Sequence, residues 1–342
     1  ELRGMIRYIA TGEAFPIEFT ENIDLALDYA GKSGKNRDVS SEDHKYIDEI
    51  VRAFYKYSKT QWVTIPTNAS LTGNVLRATR SILGKCPDLL LTVQVSLDAL
   101  YSDHDESSAL RNGFESLCET LTRLGRLRCY YPNLRIQIST CYHDENCKSI
   151  HEILEYCSKR FDYDQHILYL LRNRGELIST STNRLVTTYI LFLRDHERRE
   201  WARISQSVWN RIIRGFQGRS YADLYRIKIR REFLRQCQAT RKFAMLHDDG
   251  QVSPCEVLDH CQYGNVRDYD FDLQRLLRQP KVQQHRRNEI QDNKCVCEWT
   301  CALPINMLYD LSVLVRLPWS FLNPDRQLDR VLRHGLNDKT SE

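Results

Sequence analysis

Six of the twelve cysteines fall within residues 237–301: Cys237, Cys255, Cys261, Cys295, Cys297 and Cys301. Their spacing is Cys237-x12-Gly250-x4-Cys255, then a gap, then Cys295-x-Cys297-x3-Cys301. Thiolates are soft ligands, and this density suits zinc or an iron–sulfur cluster; on spacing alone the two stand level. Burial of small apolar thiols explains single cysteines but not their crowding. Other constellations are weaker. His104-Asp105 and His143-Asp144 are adjacent pairs with no nucleophile linked to them by spacing. His247-Asp248-Asp249 reads as turn chemistry. Glu197 and Glu200 read as solvated in a charged helix, and no P-loop or dinucleotide glycine pattern occurs.

The elements that must carry these residues differ between the two halves. Apolar, β-rich stretches lie at Met5–Ala10, Gln61–Pro66, Leu89–Leu97, Leu134–Cys141 and Gln165–Leu171. Helical periodicity lies between them: Ile47, Ile50, Val51 and Phe54 share a face, as do Ile150, Ile153, Leu154 and Cys157. Strands alternating with helices predict βαβ units and a parallel sheet; LLLTVQVSL and LRIQISTC read as largely buried strands. Gly31–Asp43 reads as a polar loop, with Ser40, Ser41 and Asp43 as caps for the next helix. Residues 183–236 read as almost wholly helical and arginine-rich. KFAML-HDDG-QVSPCE reads as a β-hairpin turning at Asp249-Gly250, and Gly250 permits the tight turn that carries Cys255 past the preceding segment. Two short helical pieces follow, then KCVCEWTC at 294–301, where Trp299 reads as packing that keeps water from a metal.

The chain has 342 residues, 42% hydrophobic and 27% charged, with a formal net charge of +4. Disordered, collagen-like and low-complexity classes are excluded. No apolar run approaches the ~20 residues of a membrane span, and no signal peptide opens the chain. Crowded cysteines without export signals predict a cytoplasmic protein that binds metal. Seven Lys or Arg between Tyr225 and Lys242, with Tyr221, Tyr225 and Phe233 interleaved, raise a nucleic-acid reading; Asp223 and Glu232 among them favour a solvated helix face instead.

The segment from Cys237 through KCVCEWTC resembles the auxiliary-cluster domain of radical SAM enzymes, the SPASM or shorter twitch type. The family pattern is Cys-x(9–15)-Gly-x4-Cys, a Gly-Asn-hydrophobic step and a compact cysteine group. Cys237, Gly250 and Cys255 match the first part, Gly264, Asn265 and Val266 the second, and Cys295, Cys297 and Cys301 the third. The resemblance implies one [4Fe–4S] cluster held by Cys237, Cys255 and two of Cys295, Cys297 and Cys301, with Cys261 a bystander. It covers roughly residues 47–310. VQVSLDAL (93–100) is similar to the family's fourth strand, whose end lies near the ribose of S-adenosylmethionine; Ser96 and Asp98 take those places. TIPTNASL (64–71) resembles the third-strand end, Asn68 matching and Ala69 replacing the usual glycine; IQISTCYHDEN (136–146) resembles the fifth strand and its asparagine-bearing loop. The implied architecture is α/β: a partial (β/α)6 TIM-like barrel over 1–182, a helical bridge over 183–236, a small cysteine-rich α+β twitch-like domain over 237–310 and a tail over 311–342.

The family's defining Cys-x3-Cys-x2-Cys, which binds the cluster that chelates S-adenosylmethionine, is absent; Cys86 is the only cysteine before Cys118. Gly12-Glu13-Ala14-Phe15 is a shadow of its Gly-Gly-Glu-Pro. Opening on Glu1, the sequence reads as part of a longer, processed or misjoined chain, or as a degenerate member. This polypeptide alone is therefore expected not to cleave S-adenosylmethionine reductively. The function implied is a radical SAM enzyme, or a large fragment of one, modifying a peptide, protein or small metabolite. Its cofactors are S-adenosylmethionine and an auxiliary [4Fe–4S] cluster, with a second such cluster if the missing motif exists. Its electron donor is of the flavodoxin or ferredoxin kind, with no membrane or nucleic-acid partner. The alternative is a degenerate or non-enzymatic scaffold in which zinc or a cluster supplies folding energy.

Overall fold

The computed structural model describes residues 22–24, 46–58, 60–108, 112–172, 177–178, 181–202, 208–247, 249–258, 260–300, 302–320 and 326–337. The Met5–Ala10 strand, the Gly31–Asp43 loop with its caps, Gly12–Phe15 and Cys301 lie outside them. The chain divides into two compact units, residues 1–169 with 269–274 and residues 170–268 with 275–342.

The first unit is α/β and takes the form of a partial TIM-like barrel. Its sheet follows chain order without reversal: β1 (Asn22–Asp24), β2 (Trp62–Thr67), β3 (Leu90–Ser96), β4 (Leu134–Tyr142) and β5 (Gln165–Leu170). β1 to β4 are parallel, in the register Ile23↔Val63, Thr64↔Thr92 and Ser96↔Ser139. Helices α1 (Ile47–Ser58), α2 (Thr72–Lys85), α3 (Tyr101–Ser108), α4 (Gly113–Leu127) and α5 (Ile150–Arg160) fill the connections. A sheet wound in one direction by right-handed crossovers carries its helices on one face, as a barrel does.

The residues explain this layering. Leu91, Val93, Val95, Ile136 and Ile138 are at most 2% exposed; each contributes roughly 1.5–3 kcal/mol by leaving water. Helices α1 and α5 bury the stripes read from the sequence, except that Ile50 is only half-buried: Ile47, Val51 and Phe54, and Ile150, Ile153, Leu154 and Cys157. Intervening positions of the strands carry polar residues: Thr64, Gln94, Arg135 and Gln137 are half-buried, and Thr92 is buried. Thr64, Thr92 and Arg135 fall on one register line, and Gln94 and Gln137 on the next but one. β3 and β4 are therefore not uniformly apolar but present a polar second face. Trp62 Nε1 donates to Thr92 Oγ1 at 2.9 Å, and Gln94 Nε2 to the Tyr169 hydroxyl at 3.4 Å across it.

The second unit opens with two long helices, α6 (Asn183–Ala202) and α7 (Val208–Arg230). A small antiparallel sheet follows, of β6 (Met245–Leu246), β7 (Gln251–Ser253) and β8 (Gly264–Asn265). The β6–β7 turn falls at Asp249-Gly250, as the sequence predicts. Gly250 has φ +86°, and a Cβ there would meet Asn265 Oδ1 at 2.7 Å. Asp249 Oδ1 accepts the Gln251 N–H at 2.9 Å, and His247 Nε2 bonds Ser253 Oγ at 2.9 Å. Helices α8 (Leu273–Leu277), α9 (Pro280–Arg286), α10 (Ala302–Leu308), α11 (Leu311–Ser320) and α12 (Arg326–Asn337) complete the chain, with a π-helical stretch at Arg287–Asp292.

The arginine-rich helix corrects the expectation of a solvated face. Asp223 is 0% exposed and pairs with Arg219 at 3.3 Å and with Arg235 at 2.6 Å; Arg235 also reaches Asp310 at 3.1 Å. Lys228 pairs with Glu298, and Arg226 with Glu232. Glu197 is likewise buried, accepting from Trp201 Nε1 at 3.0 Å and from the Tyr221 hydroxyl at 2.9 Å. Among the described residues no helix is long and apolar enough to cross a membrane.

Candidate functional site

Two groups of sequence-derived residues come to distinct places, one in each unit. Asn68, Ser96 and Asp98 all stand at the C-terminal edge of the parallel sheet, where ligands of such folds gather. Ser96 is the last residue of β3, paired in register with Ser139 of β4, and their hydroxyls are 3.5 Å apart. Asn68 directly follows β2, whose Thr67 is in register with Val95. Its Oδ1 accepts the Ser70 N–H at 3.1 Å and the Ser70 hydroxyl at 2.9 Å. Ala69 has φ +59°. That left-handed backbone costs an L-residue roughly 1–2 kcal/mol, which accounts for the glycine expected in its place. Hydrogen bonds hold it there: its N–H donates to Thr67 Oγ1 at 3.0 Å, and its carbonyl accepts from Thr120 Oγ1 at 3.0 Å.

Asp98 is tied into the sheet edge more tightly than the sequence suggests. Its Oδ1 accepts the Cys141 N–H at 2.6 Å, and its carbonyl accepts from Asn146 Nδ2 at 3.1 Å. Asn146 also donates to the Cys141 carbonyl at 2.6 Å, and its Oδ1 accepts the His143 N–H at 3.0 Å. One buried carboxamide thus clamps the ends of β3 and β4 together. Burial pushes the Asp98 carboxyl above its ordinary value, opposed by the Cys141 N–H and by His143 and His104. Of the histidine–acid pairs, His104 Nδ1 lies 3.5 Å from Asp105, whose Oδ1 accepts the Phe114 N–H at 2.7 Å.

The second place is the cysteine cluster. Cys237, Cys255 and Cys261 are buried with Ala239, Val257, Leu258 and Ile290, and Cys295 and Trp299 pack against that group. Trp299 also meets Phe243 edge-on at 5.5 Å between centroids. Cys237, Cys295 and Cys297 line one small hollow. The sulfurs are within electrostatic reach of one another: Cys297 raises the thiols of Cys237 and Cys255, and Cys237 and Cys255 both act on Cys295. Burial, with these neighbours, pushes Cys237 up to about 11 and Cys255 up to about 12. A hydrogen bond between Cys295 and Cys297 raises the first and lowers the second, so that pair sheds its first proton readily and resists losing the next.

Backbone amides act on three of these sulfurs. Ala239 N–H donates to Cys237 Sγ at 3.5 Å, and the Gln238 N–H beside it goes to Asn306 Oδ1 at 2.8 Å. The backbone at Val257 and Leu258 favours the ionised form of Cys255, and that at Trp299 the ionised form of Cys297. Among the described residues no three of His, Cys, Asp and Glu are gathered closely enough to hold a single ion. Sequence reasoning located the sulfurs but not these donors, nor the Asn146 clamp; the asparagine-bearing loop was the one signal for the latter.

Solved structures with a similar chain path are distant in sequence. Polyhistidine-tagged anSMEcpe with bound AdoMet, from an anaerobic sulfatase-maturating radical SAM enzyme, is 15% identical, covering 85% of this chain and 80% of that one with a TM-score of 0.48. Native anSMEcpe with bound AdoMet and Kp18Cys peptide is 15% identical over 86% of this chain and 82% of that one, TM-score 0.47. The same protein with AdoMet and Cp18Cys peptide gives 15%, 86%, 82% and 0.48. No protein-family model matches the chain, and no curated protein matches it. With TM-scores below 0.5 the likeness assigns no property to this chain.

Proposed function

We propose that the chain is a radical SAM enzyme, or the larger part of one, acting on a peptide, protein or small metabolite. On this reading the barrel unit binds S-adenosylmethionine at its strand ends. The second unit holds one [4Fe–4S] cluster on Cys237, Cys255 and two of Cys295, Cys297 and Cys301. The observation that carries the reading is the gathering of Cys237, Cys255, Cys295 and Cys297, with the Ala239 N–H donating to Cys237 Sγ and backbone amides favouring the ionised form of Cys255 and Cys297. A neutral thiol is a weak acceptor, whereas a thiolate ligating iron is stabilised by such bonds, which also tune the potential of its cluster. A cubane draws its sulfurs from farther apart than a single tetrahedral ion does. The hollow lined by Cys237, Cys295 and Cys297 is about 20 Å³, smaller than a cubane, so a cluster would be seated only with rearrangement of the residues around it. When bound, the cluster and S-adenosylmethionine supply one-electron radical chemistry. This chain's own contribution is ligation, orientation and exclusion of water, the last through Trp299 and Phe243.

Anaerobic reconstitution with ferrous iron and sulfide tests the cluster. Four iron and four sulfide per chain, with a broad band near ~400 nm, are expected. A colourless protein retaining one zinc would overturn the reading in favour of a metal-stabilised scaffold.

At the sheet edge, Asn68 keeps its amide nitrogen, Ser96 its hydroxyl and Asp98 its second carboxylate oxygen for the cofactor. Asp98→Asn separates that role from the clamp. The amide oxygen still accepts from Cys141, so the fold persists. Because burial raises the native pKa of Asp98 above its unfolded value, its ionisation subtracts stability as pH rises from the unfolded pKa to the native one. The variant removes that penalty, so its melting temperature at neutral pH is expected to equal or exceed the parent's. Affinity for S-adenosylmethionine, by equilibrium titration, is expected to fall about tenfold or more with loss of a charge-assisted bond. Unchanged affinity would leave Asp98 a clamp only.

A further inference from the structure

A hollow of about 210 Å³ lies between the turn after Cys261 and α9, walled by Gln262, Tyr263, Lys281, Gln284, His285 and Asn288. Its polar groups are one ammonium, one imidazole and three carboxamides, and no carboxylate lines it. The Tyr263 hydroxyl is engaged elsewhere, by Thr240 Oγ1 at 2.8 Å, and its ring stands edge-on to His285 at 5.9 Å. Arg286, on the same helix, is 9% exposed. Its Nε donates to Gln283 Oε1 at 3.4 Å, and no carboxylate of the described residues pairs with it. Burial, with Arg241 and Arg287 nearby, holds this guanidinium below its ordinary value, while its charge acts on Tyr263 in the wall. A buried cation without a counter-charge is costly. Excess positive charge with convergent neutral donors is the chemistry that receives an anion. The helix runs directly into the π-helical stretch Arg287–Asp292, which carries Asn288; such geometry is rare and recurs at functional sites.

We propose that this hollow binds a small organic anion through a carboxylate or phosphate group. Lys281 supplies the charge, and His285, Gln262, Gln284 and Asn288 fix the orientation. None of the cysteines lines it, so the proposal stands apart from the cluster.

The full chain is titrated at constant ionic strength with inorganic phosphate and, separately, with malonate. The His285 ring resonance is followed by NMR, assigned with His285→Gln, and melting temperature is recorded in parallel. A saturable shift and a rise in melting temperature are expected with at least one anion, the tighter one identifying the group recognised. Lys281→Ala is expected to weaken binding about tenfold or more, and Lys281→Ala with His285→Gln to abolish the thermal shift while the anion-free melt stays at the parent value. Absence of saturation with both anions, or unchanged thermal shifts in the double variant, would overturn the proposal.

Discussion

Lys228→Met is expected to destabilise the second unit by about 3–5 kcal/mol, the cost of leaving one partner of a buried ion pair behind. Both residues are buried, each 4% exposed, and Lys228 Nζ meets Glu298 Oε2 directly. Desolvation is the leading influence on Lys228 and lowers its pKa, opposed by the hydrogen bond and charge of Glu298. Glu298 thus favours the charged ammonium against the burial that disfavours it. Removing the ammonium strands a carboxylate in a segment whose backbone is also committed, since Glu298 N–H donates to the Leu177 carbonyl at 3.0 Å. Combining Lys228→Met with Glu298→Leu is expected to recover most of the loss, because apolar residues of similar volume often replace a buried pair without penalty. Urea denaturation of the four proteins of this double-mutant cycle provides the check. A single-variant loss under about 1 kcal/mol, the range of surface pairs, would show that water reaches the pair.

Serine substitution at Cys237 or Cys255 is expected to reduce iron after reconstitution from four to below one per chain, while Cys261→Ala retains the parent content. The contrast follows from the sulfur environments. Backbone amides favour the ionised form of Cys237 and Cys255, and Cys297 acts electrostatically on both. Cys261 belongs to the same buried group and lies outside the proposed ligand set, so it controls for loss of a buried thiol. Alanine at Cys295, at Cys297 and at Cys301 in turn identifies the other two ligands: two variants lose the cluster, and one keeps it. Iron and sulfide assays with the visible spectrum read every variant. Retention of four iron by the Cys255 variant would dismiss the proposed ligand set.

Much of the architecture was legible locally. β2 to β5 fall on the apolar, β-branched stretches, and α1 and α5 bury the stripes their 3.6-residue periodicity marks. The hairpin glycine is where left-handed backbone is needed. β1 was not legible, since Asn-Ile-Asp has neither length nor alternation and becomes a strand by pairing with β2. Nor was the second face of the sheet, because Thr92, Gln94 and Arg135 look like interruptions of an apolar run until register aligns them.

By itself the sequence determined the order of β2 to β5 and of the helices between them, the turn at Gly250 and the crowding of six cysteines within residues 237–301. These depend on residue type and short spacing, and both are properties of the local chain. Tertiary structure alone decided which charges are buried, which backbone N–H groups meet sulfur and which side chains surround the anion hollow. Arg235 and Asp310 are 75 residues apart, and no local pattern distinguishes a solvated arginine from one paired across that distance. The cost or gain of a charge is set by the dielectric and the partners around it, and only the assembled fold supplies them.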